Sequence, residues 1–141
     1  MSPLYCVDGS NVVRGRYGYG GAAFRAQEES DAEQLVASLG LLCERLEGRV
    51  EVEVFFDGAF RPLAARGPGL RVRFSREEDA DLLILDRVRA ACHEHSGGVT
   101  VVTGDGELGR KAAEEGAGWL RLRPGQGVER LLGAIEGRWK C

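Results

Sequence analysis

The chain has 141 residues, 43% of them hydrophobic and 29% charged, which is the length of about one domain and a balance that excludes a disordered chain. Its apolar runs fall far short of the ~20 residues a membrane-spanning helix needs. With 19 basic against 22 acidic residues the formal net charge is −3, so nothing draws a polyanion globally and any nucleic-acid contact must be local.

Residues 3–8 (PLYCVD) are apolar and β-prone and stop at Asp8-Gly9, which predicts an opening strand. The glycine- and tyrosine-rich run RGRYGYGG follows and reads as a surface loop. Ser30 to Glu33 has capping-box spacing, and Leu35, Val36, Leu39, Leu42, Cys43 and Leu46 then recur every three or four residues, which predicts an amphipathic helix ending at Gly48. VEVEVFF closes at Asp57-Gly58, and LRVRF (70–74) alternates after a Pro- and Gly-rich loop; both read as strands, the second more exposed. Ser75 with Glu78 repeats the capping-box pattern and predicts a well-buried helix to about Glu94, carrying Leu82, Leu83, Ile84, Leu85, Val88 and Cys92. GVTVVTGD is an apolar strand closed by Gly104-Asp105. A helix to about Glu115, a short strand in GWLRL and a last helix after Pro124-Gly125 complete the chain.

The order β-α-β-β-α-β-α-β-α calls for an α/β fold, a mostly parallel sheet with helices on both faces. No repeat or linker divides the chain, so a single domain over residues 1–141 is expected. The four cysteines (Cys6, Cys43, Cys92, Cys141) lie far apart without a C-x-x-C pair and no secretory leader precedes them. That pattern reads as reduced thiols in a cytoplasmic protein.

Ligands of such sheets sit at the carboxyl ends of the strands, near the point where strand order reverses. Asp8, Asp57 and Asp105 all end strands, and Asp81 lies in the first or second turn of the helix near Ser75, where a carboxylate can face the same rim. Singly, each has an ordinary explanation as turn residue, N-cap or helix-dipole partner. Together on one edge they would repel one another and raise one another's pKa, a cost that a cation relieves. Oxygen ligands without histidine or thiol favour Mg²⁺ or Mn²⁺ over zinc. Such ions polarise a phosphoryl oxygen and activate a water, and either one or two would fit.

The same residues resemble the PIN-like nucleases of the NYN branch, most closely the bacterial YacP-like subgroup. VDGSN (Val7 to Asn11) resembles the opening D-G-x-N turn, FFDG (Phe55 to Gly58) the second acidic strand end, EEDADLLI (Glu77 to Ile84) the A-D-x-x-I helix start, and VVTGD (Val101 to Asp105) the closing T-x-D motif. The resemblance implies a three-layer α/β/α sandwich and a metal-dependent endoribonuclease acting on single-stranded RNA. The subgroup is associated with cleavage of messenger RNA, in some members near the ribosome. By it Asp8, Asp57, Asp81 and Asp105 are the expected metal ligands, with Asn11 and Thr103 orienting them. Asp79 competes with Asp81 for the third place, Gly104 departs from the motif, and Glu107 adds a further acid.

Candidate RNA contacts are Arg14 and Arg16 beside Tyr17 and Tyr19, charge meeting phosphate and ring meeting base, and the series Arg61, Arg66, Arg71, Arg73 and Arg76. Cys92-His93-Glu94-His95 is discounted as a metal site because no second cluster accompanies it, and Gly18, Gly20 and Gly21 as a dinucleotide fingerprint because no strand directly precedes them. Two other classes remain. One is another Mg²⁺ phosphoryl-transfer enzyme, a phosphatase or a Toprim-like domain using Asp79 and Asp81; the other is a non-catalytic module that binds RNA or a partner.

Overall fold

A computed structural model describes residues 2–14, 22–94, 98–123 and 127–139. The elements are β1 (Leu4–Asp8), α1 (Gly9–Arg14), α2 (Ala22–Arg45), β2 (Glu51–Phe56), β3 (Leu70–Phe74), α3 (Ala80–Glu94), β4 (Val99–Thr103), α4 (Gly106–Glu114), β5 (Gly118–Arg121) and α5 (Gly127–Trp139). The five strands form one sheet in the order β3-β2-β1-β4-β5. Every pairing is parallel, so the sheet is wholly rather than mostly parallel.

Side-chain alternation along β1 sorts the core into two layers. Tyr5 and Val7 join α1, α2 and α5 on one face, with Val52, Val54 and Phe56 of β2. Leu4 and Cys6 meet α3 and α4 on the other, with Phe55. Because helices cover both faces, β1 and most of β2 read as near-continuous apolar runs. Within β2 the buried exception is Glu53, 2% exposed, which sits between Arg73 (2.9 Å) and Arg87 (2.6 Å). Its register partner on β1 is Cys6, whose thiol burial, with Glu53 adding, pushes up to about 12. Cys6, Cys43 and Cys92 are all free thiols, and Cys6 is held protonated and inert at neutral pH.

The structure departs from the sequence reading at three helix starts. The chain enters α1 directly at Gly9, a short helix that the sequence reading did not include, while the expected glycine- and tyrosine-rich loop lies, beyond Arg14, outside the described residues. Helix α2 begins at Ala22, because Ala22 to Glu29 is rich in strong helix formers. Ser30 therefore lies inside the helix rather than capping it, and Gln27 Nε2 donates to Asp31 Oδ1 across one turn (3.2 Å). Helix α3 starts at Ala80, not near Ser75: Arg76 stands at φ 61°, in the left-handed region, so no right-handed helix can run through it. Within α3, Leu82 is 55% exposed and is not part of the core. Among the described residues no helix is long and apolar enough to cross a membrane.

Candidate active site

Strand order reverses between β1 and β4, so the crevice at the carboxyl edge opens where the ends of these two strands diverge. Asp8 is the last residue of β1 and is buried. Its Oδ1 accepts the Asn11 backbone N–H (3.3 Å) and its Oδ2 the Thr103 hydroxyl (3.1 Å). Burial pushes the carboxyl up to about 7. The Asn11 and Thr103 hydrogen bonds oppose that rise, and the charges of Asp81 and Asp57 add to it.

Gly9 is required by a neighbour rather than by a turn. A Cβ there would stand 2.7 Å from the Phe56 ring and 2.8 Å from Val54 Cγ1, so only glycine lets α1 start tight against β2. That start places Asn11 over the β4–α4 connection, where its Oδ1 accepts the Gly104 N–H at 2.7 Å. Gly104 is fixed in turn: a Cβ would meet Leu122 O at 2.7 Å and Asn11 Oδ1 at 3.1 Å. The glycine inside the T-x-D motif is thus a packing requirement of this site.

Thr103 is fully buried and works from behind. Its hydroxyl donates to Asp8 and accepts the Asp105 N–H at 3.1 Å, while its carbonyl accepts Trp119 Nε1 at 3.1 Å. Asp105 is the N-cap of α4, its Oδ1 accepting the N–H groups of Glu107 (2.9 Å) and Leu108 (3.3 Å). Asp57, one residue beyond β2, donates its N–H to Ser10 Oγ (2.8 Å) and accepts the Ala80 N–H on Oδ1 (2.9 Å), reaching the start of α3 from another strand. Asp81 lies in the first turn of α3. Burial raises its pKa, and the charges of Asp105, Asp57, Asp79 and Glu107 raise it further.

Asp8, Asn11, Asp57, Asp79, Asp81 and Asp105 line one polar cleft of about 360 Å³. Asp79 and Asp81 both face it, so the choice between them stays open. Glu107 stands outside, exposed and paired with Lys111 at 3.1 Å. Among the described residues no three His, Cys, Asp or Glu side chains are drawn together as a metal cage. The donors nevertheless fit a hard divalent ion: all are oxygens on an open cleft, and burial, with mutual repulsion adding, already raises two carboxyls.

Two serine roles differ from, or are missing from, the sequence reading. Ser10 Oγ takes the Asp57 N–H, and Ser75 Oγ takes the Gly58 N–H (3.1 Å) instead of capping a helix. No local pattern marks either bond, since the partners lie 47 and 17 residues away. Of the expected RNA contacts, Arg16, Tyr17 and Tyr19 lie outside the described residues, and Arg14 is described only as the last residue of α1. Arg61 and Arg73 are engaged in ion pairs with Glu29 (3.0 Å) and Glu53.

No family model and no curated protein matches the sequence. A solved structure does match: a mutant form of Rae1 (YacP) from Bacillus subtilis superposes with a TM-score of 0.65 at 21% identity, covering 98% of this chain and 79% of that one. The likeness is one of fold, and it gives the chain the YacP-like α/β architecture that its motifs resemble.

Proposed function

We propose that the protein is a Mg²⁺- or Mn²⁺-dependent endoribonuclease that hydrolyses phosphodiester bonds of single-stranded RNA, messenger RNA included, in the cytoplasm. The observation that carries the reading is the convergence of Asp8, Asp57, Asp79, Asp81 and Asp105 on one cleft at the strand-order reversal. These acids come from β1, the β2–β3 connection and the starts of α3 and α4. Without a cation such a cleft repels a polyanion; a bound divalent ion would offset two of these charges and offer a phosphoryl oxygen a positive centre to meet.

Asp8, Asp57, Asp105 and either Asp81 or Asp79 would hold the ion, which when bound would supply Lewis-acid polarisation of a phosphoryl oxygen and a water acidified for attack. The rest is done by the chain itself. Thr103 and the Asn11 N–H fix both oxygens of Asp8, Asn11 Oδ1 fixes the loop that carries Asp105, and Ser10 fixes the backbone of Asp57. Such supporting hydrogen bonds orient ligating carboxylates and are worth about 10- to 100-fold in metal affinity or activity. The fold shared with the YacP structure supports the same reading.

The test is to incubate the purified protein with end-labelled single-stranded RNA and the matching DNA in Mn²⁺, Mg²⁺ or EDTA, beside Asp8→Asn. Cutting of RNA that requires the metal and falls to background in the variant is the expected result. RNA and DNA intact throughout, with RNA still bound, would replace the enzyme by a binding module. Cutting by Asp8→Asn at the normal rate would place the chemistry elsewhere.

A further inference from the structure

Three residues beyond Asp57, Phe60 holds a large apolar ring 67% exposed. The ring is supported from beneath. It forms a T-shaped pair with Phe74, centroids 5.5 Å apart and planes at 74°, and Phe74 stacks on Phe56 of the core at 5.9 Å. The Arg61 guanidinium lies over both lower rings, 5.2 Å from Phe74 and 5.5 Å from Phe56, and is locked there by Glu29 at 3.0 Å. The connection carrying Phe60 is pinned to the next one by three bonds: Ser75 N–H to Phe56 O (2.9 Å), Gly58 N–H to Ser75 Oγ (3.1 Å) and Arg76 N–H to Gly58 O (2.8 Å). Exposure of this ring is built in.

We infer that Phe60 is a stacking platform for a base of the single-stranded nucleic acid whose backbone crosses the acidic cleft. Its place fits that role. Three residues of chain reach at most ~11 Å, so the platform lies within about three stacked nucleotides of Asp57. Arg76, exposed and hydrogen-bonded through its backbone to Gly58, supplies a cation on the same rim for a phosphate. Because the ring is held in advance, little ordering entropy opposes stacking. A π-face accepts any base, so the platform adds affinity and register without sequence preference. A double-stranded substrate presents no free base face and is not held here.

The inference rests on the nucleic-acid reading of the cleft, and the experiment separates the two. Binding of a short labelled oligoadenylate is measured with Asp8 intact and Ca²⁺ in place of Mn²⁺, a hard ion that takes the same oxygen ligands, and cleavage with Mn²⁺ is measured in parallel. Phe60→Ala is expected to weaken binding about tenfold, within the range known for base–aromatic stacking. Phe60→Trp retains the affinity, whereas Phe60→Leu, which keeps an apolar contact with Phe74, does not. An oligonucleotide abasic at the stacked position loses affinity with Phe60 present and loses nothing further with Phe60→Ala, which a merely structural role would not produce. Equal affinity of Phe60→Ala and its parent, with RNA cut normally in the parallel arm, overturns the platform and spares the nuclease. Phe60-dependent binding without any cleavage does the reverse, and no binding of RNA or DNA by any variant overturns both.

Discussion

Asp8 carries a charge that its surroundings oppose. Its carboxyl rises from 3.8 to about 7 on folding, burial being the largest cause, so the folded state binds a proton that the unfolded state releases. Between about pH 4 and pH 7 Asp8 therefore contributes a loss of stability to the metal-free protein as pH rises, on the order of a few kcal/mol. Asp8→Asn removes this loss. Its melting temperature in EDTA is expected to exceed that of the parent at pH 8 and to equal it near pH 4, a comparison that thermal unfolding at the two pH values decides. Gly104→Ala should act in the opposite direction. Its Cβ would press on Leu122 O and Asn11 Oδ1, costing about 1–3 kcal/mol as an overpacked site and releasing Asn11. Denaturant unfolding gives the first effect and RNA cleavage the second; a variant unchanged in both would show that this loop yields freely. The aspartates were legible in the sequence because each closes a strand or opens a helix. Gly104 read as a departure because its reason is a carbonyl 18 residues further along the chain.

Elements are legible where periodicity runs uninterrupted, and their starts are legible only where the local signal meets no rival. Ser30 and Ser75 both stood at capping-box spacing. At Ser30 good helix formers on the N-terminal side carried α2 eight residues further back. At Ser75 the left-handed Arg76 delayed α3 to Ala80, whose N–H is received by Asp57, one residue beyond β2. The first rival is itself local and stands in the eight residues before Ser30; the second is sealed by a bond to a residue 23 positions away, which no sequence window holds. The joint between α4 and β5 shows how one element reaches the site through another. Gly109 of α4 lies under Trp119, where a Cβ would come within 2.0 Å of the indole, and that indole holds the Thr103 carbonyl behind Asp8. Gly109→Ala must therefore displace Trp119. It is expected to lower stability by about 1–3 kcal/mol, alter the near-ultraviolet circular dichroism and weaken cleavage, although Gly109 lies outside the cleft. An unaltered aromatic spectrum would mean that α4 shifts as a unit instead.

At the scale of the molecule, the alternation of strands and helices gave a parallel α/β sheet, but strand order required pairing information that no single segment holds. The order β3-β2-β1-β4-β5 sets β1 beside β4, and this adjacency turns acids 97 residues apart, Asp8 and Asp105, into one cleft. A fold that gathers like charges at its rim without a built cage should be completed by a cation, and binding to the folded state alone must raise its stability. At a free-ion concentration about 100 times the dissociation constant the gain is about 2.7 kcal/mol, a rise in melting temperature on the order of 5 °C or more for a domain of this size. The gain has a pH dependence of known sign. Near pH 5 the ion must displace the proton held by Asp8, so the stabilisation by Mn²⁺ is smaller there than at pH 8. Titrating Mn²⁺ and Mg²⁺ against thermal unfolding at both pH values checks this without any substrate. A melting temperature indifferent to both ions at pH 8 would remove the metal from the proposal, and an equal gain at the two pH values would remove Asp8 from its ligands.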